Sequence, residues 1–510
     1  MNATLPIAEG AVVLRVATLD ADLDRSLAAL RADLGTDRCR VTASRAVVEA
    51  ALADGRAHYG VNTGFGSLKS VRVGPEGLVA LQENLLRSHA VGVGEPVSEG
   101  LSRRMLRLKV HALGLGFSGV SVPVFERLLT MAERGLTPVV PSQGSLGASG
   151  DLAPLAHLAL PLLGEGEVWE HGAPAAAADV LREHGLAPVE LGAKDGLALI
   201  NGTQFMAAHG AEVLARAFRL ADTADVAAAM TLEAVRGSAS PFDARVHAVR
   251  PHAGAVHVAA RVRALLEGSE IGPSHADCDK VQDPYSVRCV PQVHGASRDA
   301  LAYALGQVET ELNAVTDNPL VFAGADGGAD LISAGNFHGQ PLAVALDVAA
   351  IAAAELASIS ERRSYLLLDG VDRLPPYLVA ETGVQSGFMM VQYTAAALVS
   401  ENKTLCHPAS VDSIPSSRGQ EDHVSMGAWG ARKALRVVEN AERVVAVEVL
   451  CAAQGLDFRR PLRAGRGVER AFAAVRARVP FRQRDAGCAP VLAACTALVT
   501  SGEIAAAAGP

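Results

Sequence analysis

Residues 144–151, Gly-Ser-Leu-Gly-Ala-Ser-Gly-Asp, combine an irregular backbone with a serine hydroxyl. The apolar spacing of residues 152–163 predicts a helix, and Asp151 is well placed to cap it. Ser149 and Gly150 are therefore expected at a helix N-terminus, where the backbone N–H groups favour electron-rich atoms. A capped helix after a glycine-rich turn would explain the same residues without any chemistry.

A second group of polar residues recurs at i, i+3 and i+6, namely Gln282, Tyr285 and Arg288. This spacing is close to one helical face and predicts that the three side chains point into one cleft. Arg288 is suited to a carboxylate because a guanidinium makes two parallel hydrogen bonds to it. A tyrosine is a poor base near neutral pH unless a positive charge lies nearby, and Arg288 could supply that charge to Tyr285. A surface salt bridge is the alternative interpretation of Arg288.

The wider string from Gly144 to His157 closely resembles the signature of the aromatic amino acid ammonia-lyase and aminomutase family. The resemblance extends from about residue 10 to about residue 500. In that family an Ala-Ser-Gly segment cyclises with loss of two waters to 4-methylideneimidazole-5-one (MIO), an electrophile. The resemblance implies that Ala148, Ser149 and Gly150 form this group autocatalytically. The residue types suit it, because serine supplies a hydroxyl that can be eliminated and glycine has no Cβ to obstruct its nitrogen.

Further site residues follow from the same resemblance. Tyr59 precedes the predicted loop of residues 60–66 and matches a tyrosine of a mobile lid over the substrate. Asn201 matches the asparagine that positions the substrate carboxylate and the MIO carbonyl, although alone it would be interpreted as an N-cap. Phe337 resembles an aromatic residue beside the ring. The resemblance also assigns Gln282 and Arg288 to substrate binding.

The substrate is indicated by two positions. Ser88-His89 resembles the Ser-His pair of the histidine-specific members of the family. Tyrosine-specific members have His-Leu at this position, and phenylalanine-specific members have Phe-Leu. Glu421 matches a carboxylate of the histidine-specific members. Because an imidazole needs polar partners that a phenyl ring does not, His89 and Glu421 favour L-histidine as the substrate, with trans-urocanate and ammonia as products. A tyrosine lyase or aminomutase is the nearest alternative.

The acid and base roles remain open from the sequence. Tyr59, Tyr285 and Glu421 are candidates for the base, and we favour Tyr285 for the β-proton and Tyr59 for proton transfers at the amine. Whether the electrophile activates the amine or the imidazole is also open. No HExxH, GxxxxGK[ST] or strand-GxGxxG-helix motif is found, so no metal or nucleotide is expected. A helical binding protein without catalysis is the remaining alternative.

Composition limits the partners and the location. The formal charge of -9 argues against a nucleic acid or an anionic membrane as partner. Seven cysteines without a CxxC pair suit reduced thiols in the cytoplasm, and the first residues show no secretion signal. The apolar residues 341–357 are interrupted by Asp347 and Glu355, which favours a core helix over a membrane span.

The elements that must position these residues are predominantly helical. We predict a mainly α fold in which a long central helical bundle is joined to a smaller N-terminal domain of helices and short strands. The domains are expected at residues 1–200, with the MIO-forming loop, and 201–510. Family resemblance further implies a homotetramer whose sites use residues of three subunits. Helical patterns cover residues 47–53, opened by Ser44 as a cap, and residues 77–115, 122–134, 203–236, 297–315, 341–368 and 426–454.

Overall fold

The computed structural model describes residues 10–36, 39–323 and 329–509. The α-helices are α1 (Leu19–Leu34), α2 (Arg40–Ala53), α3 (Leu78–His89), α4 (Glu99–Gly114), α5 (Val122–Arg134), α6 (Leu152–Ala159), α7 (Ala177–Glu183), α8 (Asp195–Ile200), α9 (Gln204–Ala234), α10 (Ala244–Ala248), α11 (Ala253–Leu265), α12 (Tyr285–Arg288), α13 (Val290–Leu312), α14 (Gln340–Leu368), α15 (Met389–Leu405), α16 (Gly427–Asp457), α17 (Arg466–Arg478), α18 (Ala489–Ser501) and α19 (Glu503–Ala508). The strands are β1 (Val93–Pro96), β2 (Thr137–Pro138), β3 (Pro141–Gln143), β4 (Glu167–Glu170), β5 (Ala173–Ala176), β6 (Leu320–Ala323) and β7 (Ala329–Ile332).

The chain forms two compact units from separate segments. Unit 1 comprises Met1–Glu212, Leu305–Leu346 and Pro408–Arg432, and unit 2 comprises Val213–Ala304, Asp347–His407 and Lys433–Pro510. The predicted domain boundary at residue 200 stays a prediction. A composition shift marks only one point along the chain, whereas compactness depends on contacts between segments that are distant in sequence.

Unit 1 contains the strands given above and the helices around the loop of residues 144–151. Strand β1 pairs with β3, β4 pairs with both β2 and β5, and β6 pairs with β7, all antiparallel. Helices α3, α6 and α8 pack against one another. The buried side chain of Gln82 in α3 accepts a hydrogen bond from the backbone nitrogen of Gly196 in α8 at 2.9 Å. The three helices therefore hold one another in place next to the loop of residues 144–151.

Unit 2 is built from helices that bring small side chains together. Its core is rich in alanine and valine from α9, α11 and α16. At Gly254 of α11, an added Cβ would lie 2.1 Å from the carbonyl oxygen of Gly295 in α13. The two backbones are therefore in direct contact, which only glycine permits.

The mainly α fold predicted from the sequence is confirmed, and α5 has the predicted bounds. The continuous helix predicted over residues 77–115 is wrong, because this segment contains α3, β1 and α4. Gly94, with φ +81°, and Pro96 of β1 interrupt the helical segment. Ser98 then caps α4, because its side chain accepts a hydrogen bond from the Leu101 nitrogen. Ser44 is not a cap, since it lies inside α2 and donates to the Val41 carbonyl.

Helix α14 is long and apolar enough to cross a membrane by length and composition. In its most apolar window 67% of the residues are buried inside the structure. Asp347 lies in this helix and forms a 2.8 Å ion pair with Lys433 of α16, both buried. This is the environment expected of a core helix.

Candidate active site

The loop between β3 and α6 is held by its own polar groups. The hydroxyl of Ser145 donates to a carboxylate oxygen of Asp151 at 3.0 Å and accepts from the Gly147 nitrogen at 3.3 Å. The backbone nitrogen of Met426 donates to the Leu146 carbonyl at 3.3 Å. The loop is thus fixed both internally and to the segment that leads into α16.

Gly150 cannot be replaced without moving backbone atoms. Its φ is +75°, and an added Cβ would lie 2.0 Å from the carbonyl oxygen of Gly202. The two glycines form a parallel bridge in which the Asp151 nitrogen donates to the Gly202 carbonyl at 2.7 Å. The Gly202 nitrogen donates in turn to the Ser149 carbonyl at 3.4 Å. Both the conformation and the space therefore require glycine.

Asp151 has a different role from the predicted one. Its side chain does not cap α6 but accepts a 3.0 Å hydrogen bond from the Met206 nitrogen in the first turn of α9. The carboxyl group is fully buried, and burial raises its pKa to about 7 although the hydrogen bonds from Met206 and Ser145 lower it. The sequence spacing indicated that Asp151 caps a helix but not which helix, because α9 begins 53 residues further along the chain.

A pocket of about 400 Å³ in unit 1 brings together four of the predicted site residues: Tyr59, His89, Ser149 and Glu421. Ser88 and Ser417 also line it. Its apolar wall is formed mainly by Phe65, Leu68, Leu81, Leu85, Leu152, Leu197 and Ile200. The pocket therefore combines an apolar surface with a few polar groups, as small-molecule sites do.

His89 is the last residue of α3 and is oriented by that helix. Its Nδ1 lies 2.9 Å from the Leu85 carbonyl oxygen and 3.0 Å from the Ser88 hydroxyl. Because a carbonyl can only accept, Nδ1 carries the proton of that bond and Nε2 of the neutral ring is left as an acceptor. Burial lowers the pKa of His89, while the Leu85 carbonyl and the charge of Glu421 act in the opposite direction.

Tyr59 and Glu421 are held by two loops that contact each other. Residues 60–66 form the predicted irregular segment, and the Gly66 nitrogen donates to the Tyr59 hydroxyl at 3.4 Å. Burial raises the pKa of Tyr59, the Gly66 N–H lowers it, and the charge of Glu421 raises it. The Ser416 hydroxyl donates to the carboxylate of Glu421.

Asn201 ends α8 and is not an N-cap. Its side-chain nitrogen donates to Asp317 at 3.2 Å and to the Asn318 carbonyl at 3.1 Å. Its Oδ1 is buried, and within the described ranges no donor reaches it. An unsatisfied buried amide oxygen is costly, so this atom is suited to a ligand or to a group formed nearby.

A cluster of buried charges next to Asn201 was missed by the sequence analysis. Lys109 of α4 donates to the Asn201 carbonyl at 2.5 Å, and Lys194 forms a 2.8 Å ion pair with Asp317. Burial lowers the pKa of Lys109 to about 7, the charge of Asp317 raises it and that of Lys194 lowers it. The signal in the sequence was a lysine placed directly between Leu108 and Val110 in α4.

Phe337 is half-buried in the turn before α14. Neither Phe337 nor Asn201 is among the residues that line the pocket of Ser149. His338 follows Phe337, and its ring stacks on His423 with 6.0 Å between centroids. The structure therefore brings together four predicted residues in one pocket and places these two in unit 1 outside its lining.

The remaining predicted residues lie in unit 2. Helix α12 is a single turn preceded by Pro284, so the predicted helical face that includes Gln282 is wrong. Gln282 and Arg288 nevertheless line the same cavity of about 1110 Å³. Tyr285 is 70% exposed, and the Arg288 guanidinium lies 4.5 Å from its ring centroid. The Nε of Arg288 is buried and has no hydrogen-bond partner among the described residues.

Among the residues that the structure describes, one group of potential metal ligands is found, namely Asp222, Asp225 and His257 of unit 2. Arg298 donates to both aspartates, at 2.7 and 2.6 Å, and His294 occupies the other oxygen of Asp225 at 2.7 Å. These carboxylates therefore already have cationic and hydrogen-bonding partners. The group does not include any of the predicted site residues.

Comparison with known proteins gives one consistent family. The pattern of the aromatic amino acid lyase family matches residues 29–477. A histidine ammonia-lyase of Sorangium cellulosum is 54% identical over 477 residues, which cover 92% of this chain and 93% of that protein.

Solved structures agree on the fold. The crystal structure of histidine ammonia-lyase from Trypanosoma cruzi superimposes with a TM-score of 0.85 at 46% identity, covering 93% of this chain and 90% of that one. A tyrosine aminomutase from Streptomyces globisporus gives a TM-score of 0.86 at 38% identity, with 94% and 96% covered. Overall shape alone therefore does not separate a lyase from an aminomutase.

The first prediction concerns Gly150. Gly150→Ala is expected to lower the melting temperature and disorder the loop, because the new Cβ meets the Gly202 carbonyl oxygen. Gly135→Ala is the matched control, since Gly135 has φ +71° but no atom within 4 Å of the Cβ position. The control should cost only the roughly 1–2 kcal/mol of a left-handed alanine. Equal melting shifts in the two variants, measured by circular dichroism, would contradict the close packing.

Proposed function

This chain belongs to the aromatic amino acid lyase family, and we propose that it eliminates ammonia from L-histidine to give trans-urocanate, the first step of histidine degradation. The chain is a carbon–nitrogen lyase. Its similarity to the histidine ammonia-lyases of Sorangium cellulosum and Trypanosoma cruzi supports the substrate. The observation that carries the proposal is the pocket in which Ser149 lies together with His89 and Glu421.

The family is MIO-dependent, and we assign the group to Ala148, Ser149 and Gly150 of this chain. The residues fit: Gly150 has no room for a side chain, Ala148 is buried and small, and Ser149 lines the pocket. The buried Oδ1 of Asn201, which has no donor among the described residues, is a polar atom suited to contact the group or the substrate.

The ring would supply an electrophilic methylene group that no ordinary side chain offers. The chain stabilises electron density at this position through the Gly202 N–H, which donates to the Ser149 carbonyl, and through the N-terminus of α6. Fixed backbone dipoles need no reorganisation during the reaction. This is the usual way in which enzymes stabilise developing negative charge.

Recognition of an imidazole follows from His89 and Glu421. The Nε2 of His89 can accept a hydrogen bond from one imidazole N–H, because Nδ1 already donates to Leu85. Glu421, whose carboxylate is oriented by Ser416, can accept from the second N–H that the ring carries when it is protonated. A phenyl ring offers no donor to either acceptor, and a phenol offers one O–H for two acceptors. At least one acceptor would then stay unsatisfied, at a cost of about 1–3 kcal/mol for each buried group.

For proton transfer we propose Tyr59 at the amine and Tyr285 at the β-carbon. Because its pKa is raised, Tyr59 is protonated near neutral pH and can donate. Tyr285 lies beside Arg288, whose guanidinium is 4.5 Å from its ring centroid, and its role at the β-carbon follows from the family resemblance. Glu421 remains an alternative base.

The substrate carboxylate is assigned to Arg288, with Asn201 and Gln282 as further polar partners. The buried Nε of Arg288 supports this, because it has no partner within the described part of the chain. Phe337 is assigned to packing beside the ring. These four roles follow from the family resemblance and from the types of the side chains.

We further propose that the enzyme is a cytoplasmic homotetramer that uses neither metal nor nucleotide and binds neither nucleic acid nor membrane. Large apolar side chains are exposed on long helices, including Tyr303 of α13, Tyr365 of α14 and Tyr393 of α15. Such side chains are suited to contacts between subunits. All seven cysteines are free thiols, which suits a reducing compartment.

The second prediction tests the reaction through Ser149. The wild-type protein should produce urocanate from histidine, followed by its ultraviolet absorbance, and much less coumarate from tyrosine. Ser149→Ala should fold with an unchanged melting temperature and lose nearly all turnover, because the hydroxyl to be eliminated is gone. Ser142→Ala, in β3 before the loop, is the control and should retain activity. Undiminished urocanate formation by Ser149→Ala would overturn the proposal, and a preference for tyrosine would favour the aminomutase alternative.

The third prediction concerns Glu421. Glu421→Gln should reduce turnover of histidine by about 10²-fold or more while the melting temperature changes little, because the variant keeps the shape and loses the charged acceptor. Asp422→Asn removes a neighbouring exposed carboxylate that does not line the pocket and should leave turnover unchanged. If both variants turn histidine over equally well, Glu421 does not belong to the site.

A further inference from the structure

One peptide group joins a buried ammonium to the loop that bears Ser149. The carbonyl oxygen of Asn201 accepts from Lys109 Nζ at 2.5 Å. The N–H of the same peptide group belongs to Gly202, and it donates to the Ser149 carbonyl oxygen at 3.4 Å. Lys109, Asn201 and Gly202 therefore form a chain of hydrogen bonds that ends on Ser149.

Hydrogen bonds in such a chain polarise one another. A positive charge on the carbonyl side of an amide withdraws electron density from its N–H and makes that N–H a stronger donor. We propose that Lys109 is a positioning residue for the reaction: its charge, relayed by the Asn201–Gly202 peptide, stabilises negative charge on the Ser149 carbonyl oxygen. This inference rests on the proposed conversion of Ser149.

Negative charge reaches this oxygen when Ser149 loses its hydroxyl. The Cα–H bond of Ser149 breaks, its proton leaves to a base, and the electron pair is delocalised onto the carbonyl oxygen. The pair then returns to form the Cα–Cβ double bond while the Cβ–O bond breaks, and the hydroxide departs with a proton as water. Any later addition of a nucleophile at Cβ returns electron density to the same oxygen.

The groups that act on Lys109 are Asp317, Lys194 and Asp151. The two carboxyl groups favour its charged form, whereas Lys194 and burial favour the neutral amine. With a pKa lowered to about 7, Lys109 is charged below that pH and neutral above it. The relay should therefore be strong at lower pH and be lost as the pH rises.

The test measures the loop directly, without substrate. Purified wild-type, Lys109→Met and Lys109→Gln proteins are digested, and mass spectrometry gives the fraction of the peptide containing residues 148–150 that has lost water. The proteins are also treated with cyanide as a small nucleophile, and the rate of adduct formation on that peptide is recorded. Ratios between proteins at one pH cancel the ionisation of cyanide itself.

At about one pH unit below the Lys109 pKa, both variants should add cyanide roughly tenfold more slowly than the wild type, a smaller effect than the loss of a direct donor. About two units above it, all three rates should converge. Incomplete loss of water from Ser149 in the variants would support the proposal as well. Lys109→Gln keeps a donor without charge, so wild-type behaviour of this variant at every pH would overturn the role of the charge.

The matched control is Lys194→Met, which removes the other buried ammonium of the cluster. Its adduct rate should still fall with rising pH, but at a higher pH than in the wild type, because the positive charge that lowers the Lys109 pKa is gone. A loss of rate at low pH equal to that of Lys109→Met would overturn the relay.

If neither Lys109 variant folds, Lys109→Arg is used, because arginine stays charged above pH 7. Its rate, divided by that of a small conjugated ketone, should not fall as the pH rises through about 7. A fall like that of the wild type would assign the pH dependence to Asp151, whose pKa is also about 7, and would overturn the relay. If the wild-type peptide has lost water and the Lys109 variants behave like the wild type, only this inference is refuted. If the wild type is active and its peptide has not lost water, the proposed function is refuted.

Discussion

The contact between the backbones of Gly150 and Gly202 is the constraint on which the site depends. It places the start of α6 beside the segment between α8 and α9, and it leaves no space for a side chain at Gly150. Four backbone groups meet there, because the Gly202 N–H donates to the Ser149 carbonyl and the Gly202 carbonyl accepts from the Asp151 nitrogen. The conformation of the Ala148-Ser149-Gly150 loop therefore follows from tertiary packing and not from local turn preferences alone.

Buried charged side chains surround this contact, and the free-energy cost of burying them must be balanced. Lys109, Lys194, Asp151 and Asp317 are all buried, and isolated charges in such an environment would be strongly destabilising. The ion pair of Lys194 with Asp317 and the hydrogen bonds of Asp151 with Met206 and Ser145 offset part of that cost. The shifted pKa values of Lys109 and Asp151 show that the remainder is not fully compensated. Such residual imbalance is common at functional sites.

Sequence reasoning succeeded where one physical signal dominated. The apolar period of α5 predicted its bounds, and the resemblance of the loop around Ser149 identified the family. It failed where distant segments decide the outcome, as at Asp151, whose partner is the first turn of α9. Lys109 was overlooked because a lysine in a helix is usually on the surface, and only the packing of α4 makes it buried. The acid and base roles stay predictions, since they depend on a bound substrate.

The most direct measurement is the mass of the proteolytic peptide that contains residues 148–150 in fully active protein. We expect a peptide lighter by two water molecules, with the loss confined to Ala148, Ser149 and Gly150 in the fragment spectrum. An active enzyme in which this peptide has the mass of the unmodified sequence would rule out the conversion of Ala148, Ser149 and Gly150 to MIO.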